Sequence, residues 1–395
     1  MLTIISNFIK NNKYAYSIYF YGGSLILRFF SLFIKPDKDS FLFISNGGEK
    51  YDDSPKHIFE NLLIKAPHLK YYWVFVNPEK FNVPKAIKIK MGTFAYFVTA
   101  LKCKTWITNS SVERGLKFKS KNILCFNTWH GTPIKKIGLD IEKAKGLGSK
   151  NNFTGDVLLA QGKYDVDIFS NAFLINKDNI KCFGFPRNDN LVNKSNFNKS
   201  EVLNEIGIYS DKKIILYAPT HREFLLDKQF NNLLSPPLNF SNWKKILGND
   251  YLVLFRAHSM TSKVLGIDFD ENKNFLYDVS NYHTLNDLML VSDILISDYS
   301  SIFFDYSLLK KPMFCFGYDF EDYVDKRGLY INIKKELPNG VITNENQLLS
   351  EIKNIDEELQ RENSIKFQKK YVQFYGSATE NSVDYILENT KEMKK

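Results

Sequence analysis

The sequence predicts an α/β protein made of two doubly wound halves facing each other. Three observations carry that expectation. From residue 40 onward, short apolar runs alternate with stretches of helical length, the pattern of βαβ units and a parallel sheet covered on both faces. The rhythm breaks at "KCFGFPRNDNL" (181–191), where Gly184, Pro186 and a polar run suit a domain junction. A second, similar series then begins. With 395 residues the chain is also long for one core.

In order, the first series places strands at "FLFIS" (41–45), "YYWVFV" (71–76), "TWIT" (105–108), "ILCFN" (123–127) and "DVLLA" (156–160), with helical stretches such as 54–65 and 92–102 between them. The second places strands at "KIILYA" (213–218), "YLVLFR" (251–256), "DILIS" (293–297) and "MFCF" (313–316), with helices at 283–291 and 300–310. The tail from 346 to 394, rich in Glu and Lys with periodic Leu, Ile and Phe, reads as helical throughout. The expected domains are therefore a segment 1–38, a first Rossmann-like domain 39–190, a second 191–365, and helices 366–395 packing back across them.

The first segment differs in character. "YAYSIYFYGGSLILRFFSLFI" (14–34) is long enough to span a bilayer, but Gly22, Gly23 and Arg28 interrupt it. No small-residue cleavage site follows, which argues against a signal peptide. Aromatic rings interleaved with Lys10, Lys13, Arg28, Lys35 and Lys38 suit a segment lying in the lipid interface. A buried first helix is the bland alternative, and a true span comes third.

Composition narrows the chemistry. A net charge of +9 admits nucleic acid, an anionic membrane or a phosphorylated substrate. The basic residues are dispersed rather than gathered into a run, so a nucleic-acid partner is not expected. Cys103, Cys125, Cys182 and Cys315 are scattered, with no CxxC pair and no zinc spacing, and read as small hydrophobes in a reducing compartment. There is no GxxxxGK[ST] loop, no GxGxxG fingerprint and no GxSxG elbow. P-loop, dinucleotide-dependent and hydrolase-type chemistries are thereby disfavoured. No metal site and no tightly bound cofactor are expected; a divalent cation is allowed for, without an evident protein ligand set.

The polar residues gather at strand ends, where doubly wound folds bind ligands. In "FNTWHGTPIKKIG" (126–138), His130 follows a strand and precedes Gly131, Thr132 and Pro133. A histidine there can serve as a general base; otherwise it merely bonds the turn. "YAPTHRE" (217–223) and "FRAHS" (255–259) bring Arg222, Arg256 and His258 to strand ends as well. One such arginine would usually be a surface ion pair, but several cations converging on one cleft suit phosphates. "SDYSS" (297–301) crowds Asp298, Ser300 and Ser301 at the start of a helix, whose free N–H groups favour an anion. Asp305, one turn on, could accept ribose hydroxyls. Plain helix capping is compatible with all of this.

These stretches, together with "YDDSPKHIFE" (51–60), "GFPRNDNL" and the run on to "FCFGYDFEDYVDKRGLY", resemble the CDP-glycerol glycerophosphotransferase family of teichoic acid and capsule synthesis over about residues 40–390. The resemblance implies a GT-B-like fold of two Rossmann-type domains around a cleft. It implies transfer of glycerol phosphate, or ribitol phosphate, from CDP-glycerol or CDP-ribitol to a lipid-linked glycan or polymer, with release of CMP. A peripheral enzyme on the cytoplasmic face of the bacterial membrane is expected. Carried over, His130 becomes the acceptor base and His258 steadies the donor diphosphate. Arg222 adds a phosphate contact, Ser300 and Ser301 form the diphosphate seat, and Asp305 the ribose site. His221 departs from the family pattern and its role is open. A nucleotide-sugar glycosyltransferase of the same architecture is the alternative, distinguished by release of a nucleoside diphosphate instead of CMP.

Overall fold

The computed structural model describes residues 12–141, 153–194, 197–220, 237–257 and 267–392. The chain forms two compact units: Met1–His130 with Ile137–Asp189 and Phe374–Lys395, and Gly131–Lys136 with Asn190–Gln373.

The first unit is a parallel seven-stranded sheet in the order β3-β2-β1-β4-β5-β6-β7. Its strands are β1 (Asp37–Ile44), β2 (Lys70–Phe75), β3 (Ala86–Lys90), β4 (Cys103–Thr108), β5 (Leu124–Asn127), β6 (Val157–Leu159) and β7 (Ile180–Lys181). Alternation along β1 feeds two cores. Phe41 and Phe43 pack with Ile58 and Leu62 of the helix Asp53–Lys65 and with Val383 and Ile386 of the helix Ala378–Glu392. Leu42 and Ile44 pack on the opposite face with Tyr96 and Ala100 of the helix Phe94–Lys102. A strand segment buried on both faces has no polar side, which is why the second half of β1, Phe41 to Ile44, reads as an unbroken apolar run.

The second unit is a parallel five-stranded sheet in the order β10-β9-β8-β11-β12. It contains β8 (Lys213–Tyr217), β9 (Tyr251–Phe255), β10 (Leu276–Asp278), β11 (Ile294–Ser297) and β12 (Met313–Cys315). Ile215, Tyr217, Val253, Phe255, Ile294 and Ile296 share a core with Trp243 of the helix Phe240–Leu247.

The tail is not one helical run. Helices Glu357–Tyr371 and Ala378–Glu392 are separated by 372–377, so the expected boundary at 366 falls inside the first of them. That helix lies in the second unit, while the last one closes the first unit. Asp189 receives the last helix, its two carboxylate oxygens accepting from the N–H groups of Ala378 (3.0 Å) and Thr379 (2.7 Å). Such a distant cap satisfies helix N–H groups that have no intrahelical partner. Gly184 makes the return possible: its φ is 86°, and a Cβ there would stand 2.5 Å from the Phe374 carbonyl oxygen.

At the other end, the stretch 14–34 is helical but passes through a π turn over Ile18–Gly22 before the helix Gly23–Phe33. No helix among the described residues is long and apolar enough to cross a membrane. Ser24 and Leu27 face inward, and the Ser24 hydroxyl accepts from the Lys117 N–H at 2.9 Å. The Arg28 Nε donates to the Lys117 carbonyl at 2.8 Å. Leu25, Phe29, Leu32 and Phe33 face outward and are exposed.

Candidate functional site

The first sheet reverses strand order between β1 and β4, the position at which open α/β sheets bind ligands. Two asparagines bridge the strand ends there. The Asn109 Oδ1 accepts from the Asn46 N–H at 2.8 Å, and the Asn109 Nδ2 donates to the Asn46 Oδ1 at 3.2 Å. Asn46, Gly47 and Gly48 all take positive φ, turning the chain sharply off β1. The Gly47 N–H reaches the Ser110 hydroxyl at 3.2 Å.

His130 sits three residues past the end of β5, on the turn that follows that strand. Its Nδ1 lies 3.0 Å from the Asn109 carbonyl oxygen. A carbonyl only accepts, so Nδ1 carries the proton and Nε2 presents a lone pair. The side chain is exposed, with its ring packed against the Trp129 indole. Desolvation lowers its pKa below the ordinary histidine value, while the Asn109 bond and Asp53 pull the other way and Arg187 adds to the lowering. The ring is thus neutral at neutral pH, with its basic nitrogen defined. Gly131 follows at φ 141°, a conformation that favours glycine.

Two residues missed by sequence reasoning complete this cluster. Asp53, at φ 65°, opens the helix Asp53–Lys65 in a left-handed conformation. Its oxygens lie 3.2 and 3.1 Å from the Arg187 Nη1, and both side chains are only 12% exposed. Burial opposes the Asp53 charge, but Arg187, the Ser54 N–H and His130 outweigh it and hold the carboxyl below its usual range. Both residues stand in quoted motifs, "YDDSP" and "GFPRN", yet neither type nor spacing marks them as partners across 134 positions.

In the second unit, the reversal lies between β8 and β11. Asp298 joins those strand ends. It accepts from the Thr220 N–H (2.9 and 3.1 Å), the Thr220 hydroxyl and the Tyr299 N–H (2.7 Å). At 2% exposure, its carboxylate organises the two loops. Ser300 and Ser301 remain half-buried at the start of the helix Ile302–Ser307, and the Ser300 hydroxyl accepts from the Ile302 N–H at 3.3 Å. Asp305 lies on that short helix at 3% exposure. Arg256, at the end of β9, is half-buried, with its Nη1 held by the Tyr282 carbonyl at 2.9 Å.

The strand ends thus gather His130 with Asn109, Asp53 and Arg187 in the first unit, and Thr220, Arg256, Asp298, Ser300 and Ser301 in the second. Arg222, His221 and His258 lie outside the described residues. Among the described residues, no three His, Cys, Asp or Glu side chains gather as a metal set.

Comparison with known proteins matches residues 26–388 to the family described as CDP-Glycerol:Poly(glycerophosphate) glycerophosphotransferase. A teichoic acid glycerol-phosphate transferase of Staphylococcus aureus is 35% identical over 344 residues, covering 82% of this chain and 85% of that protein. A teichoic acid poly(glycerol phosphate) polymerase of Staphylococcus epidermidis is 36% identical over 382 residues; the match takes in 91% of this chain but only 52% of the polymerase. Among solved structures, the wall teichoic acid polymerase TagF superposes with a TM-score of 0.84 at 34% identity, covering 94% of this chain and 97% of that one.

Proposed function

Because the chain belongs to the CDP-glycerol:poly(glycerophosphate) glycerophosphotransferase family, we propose that it moves a polyol phosphate from a CDP-activated donor to an acceptor hydroxyl. The donor is CDP-glycerol, with CDP-ribitol as the variant to test. The acceptor is a lipid-linked glycan or growing polyol-phosphate polymer in teichoic acid or capsule synthesis. The relatives named above act on such phosphopolyols, and the chain shares most of its length with them.

The observation that carries this reading is His130, neutral and tautomerically fixed with Nε2 available. In the proposed step the acceptor hydroxyl gives its proton to Nε2, and its oxygen attacks the phosphorus bearing the polyol. The bond from that phosphorus to CMP breaks, and CMP leaves with the electron pair. Phosphoryl transfer needs mostly positioning and charge stabilisation. In the GT-B-like arrangement we propose, the second unit supplies these through Arg256 and the Ser300–Ser301 helix start, joined by Arg222 and His258. Asp298 holds those loops in register, and Asp305 shapes the nucleotide side of the seat.

The outward face of the helix Gly23–Phe33 supports a peripheral position on the membrane. Leu25 is 70%, Leu32 77% and Phe33 74% exposed, while Arg28 and Lys117 stand beside them. Rings and aliphatic chains at that density suit insertion into the interfacial layer, with basic residues at the headgroups. This placement would bring the enzyme to an acceptor whose lipid stays in the bilayer, on the cytoplasmic face.

Phosphorus NMR tests the reaction. The purified chain with CDP-glycerol, then CDP-ribitol, and membranes carrying lipid-linked acceptor should yield CMP and a new phosphodiester signal. His130→Gln should cut the rate by about 10²–10⁴-fold. Normal turnover in that variant would remove His130 from the base role. Inert CDP-polyols, with nucleoside diphosphate released from a nucleotide sugar, would make the enzyme a glycosyltransferase.

A further inference from the structure

Two contacts fix the plane of the His130 ring. One is the Nδ1 bond to the Asn109 carbonyl, 3.0 Å long. The other is Trp129, whose indole lies against the imidazole with ring centres 4.2 Å apart and planes inclined by 27°. Successive side chains of an extended chain point to opposite sides, so sequence neighbours stack only where the backbone folds back between them. Trp129 provides that fold with a φ of 56°, left-handed and uncommon for so bulky a residue.

The surroundings hold it there. The Trp129 N–H donates to the Asn127 Oδ1 at 2.8 Å, and the Asn127 Nδ2 donates to the Ser110 carbonyl at 3.1 Å. The indole meets Phe169 and Phe173 at steep angles, with ring centres 5.5 and 4.9 Å away. A strained turn, an asparagine latch and an aromatic bed therefore all serve to lay one indole along one imidazole.

Resting on the reading of His130 as the acceptor base, we infer that Trp129 is a positioning residue of the transfer: its indole face sets the plane in which Nε2 meets the acceptor hydroxyl and stabilises the imidazolium that forms as the proton arrives. An aromatic face carries the negative part of a quadrupole and attracts a cation stacked on it. The neutral ring gains little from this; the protonated ring gains more. The stack is thus stronger after proton transfer than before it, which is the condition for speeding a step. The charged groups whose fields reach His130 are Asp53 and Arg187. Asp53 is held below the usual carboxylate range and arginine stays protonated, so His130 is the member of the three whose proton uptake the acid limb reports.

The test compares Trp129→Phe, Trp129→Leu and His130→Gln in the full chain. CMP release from CDP-glycerol is followed with acceptor-bearing membranes from about pH 5 to about pH 8.5. All three residues at position 129 share the backbone strain, and leucine keeps an apolar cover while removing the π face. Trp129→Leu should lower kcat about tenfold with little change in KM for CDP-glycerol, and move the acid limb of kcat/KM down by about half a pH unit or more. Trp129→Phe should keep the limb and most of the rate. Trp129→Met, also without a π face, repeats the test if the leucine variant misfolds. A wild-type limb in the leucine and methionine variants would overturn the inference while leaving His130 as base, provided His130→Gln is inactive. Normal turnover in His130→Gln would overturn both.

Discussion

Both sheets reverse their strand order beside the first strand of their own series, yet the two reversals are joined by different chemistry. In the first unit a pair of neutral amides, Asn46 and Asn109, ties β1 to β4. In the second a buried carboxylate, Asp298, ties β8 to β11 through the N–H groups of Thr220 and Tyr299. The difference follows from what stands beside each join. A bare carboxylate at the first would favour a protonated His130 and remove the base. The nearby carboxylate that does act on His130, Asp53, faces Arg187 and is largely offset by it. At the second join the anion is turned inward and saturated with donors, which leaves hydroxyls and a guanidinium rather than a carboxylate at the half-buried rim. The same topology thus presents a neutral base in one unit and an anion seat in the other.

Replacing Asp298 should do the most damage to that contrast. Asp298→Ala strips two backbone N–H groups and a hydroxyl of a buried acceptor, and each lost buried bond costs about 1–3 kcal/mol. A loss of about 3 kcal/mol or more in unfolding free energy is expected, together with weaker CDP-glycerol binding. Asp298→Asn retains an acceptor oxygen and should lose less. Urea unfolding followed by circular dichroism decides this. An alanine variant as stable as wild type would show that the carboxylate does not hold the loops.

Asn109→Ala should cost less, about 1–2 kcal/mol, because it removes one neutral acceptor and one neutral donor. Its effect on turnover should be milder than that of His130→Gln, since the atom that fixes the His130 tautomer is the Asn109 backbone carbonyl, which alanine also has. Steady-state CMP release from both variants separates the cases. Equal losses would mean that the amide pair, rather than the carbonyl, sets the base.

What the sequence disclosed divides between the centres and the edges of the two sheets. The strands read from apolar runs are central strands and β12. The three it missed, β3, β7 and β10, all lie at sheet edges. β3 alternates Ala, Ile and Lys with little burial, β7 has two residues, and β10 buries only its first. An edge strand is covered on fewer sides and needs no continuous hydrophobic run. His130, Ser300 and Ser301 were singled out because their types are chemically specific and follow recognisable strands. Asn109 was not, although it stands directly after "TWIT", because an asparagine at a strand end usually only turns the chain. Asp53 and Arg187 were hidden for another reason: their pairing needs a left-handed aspartate at the mouth of a helix, a backbone state that composition does not report.

The smallest effect expected is also the one that separates the two units by pH. His57 and His130, both in the first unit, have pKa values lowered chiefly by desolvation, so the folded chain prefers both rings neutral. The unfolded chain binds protons at these residues from about pH 6.5 downward, while the folded chain resists until a lower pH. Their contribution to stability is therefore complete above about pH 6.5 and is lost as pH falls through the window down to the folded values. The second unit has no matching pair among its described residues: His283 is 60% exposed. Lys311, pushed down to about 8 by burial, keeps its charge throughout that window. Hydrogen exchange read by mass spectrometry at about pH 7.5 and about pH 5.5, corrected for intrinsic rates, should show the helix Asp53–Lys65 and the turn after β5 losing protection while β8 and β11 hold theirs. His57→Gln combined with His130→Gln should erase the difference, because neither position can then take up a proton. Equal loss in both sheets, or a difference that survives the double variant, would place the acid-sensitive groups elsewhere and leave the neutral join without this consequence.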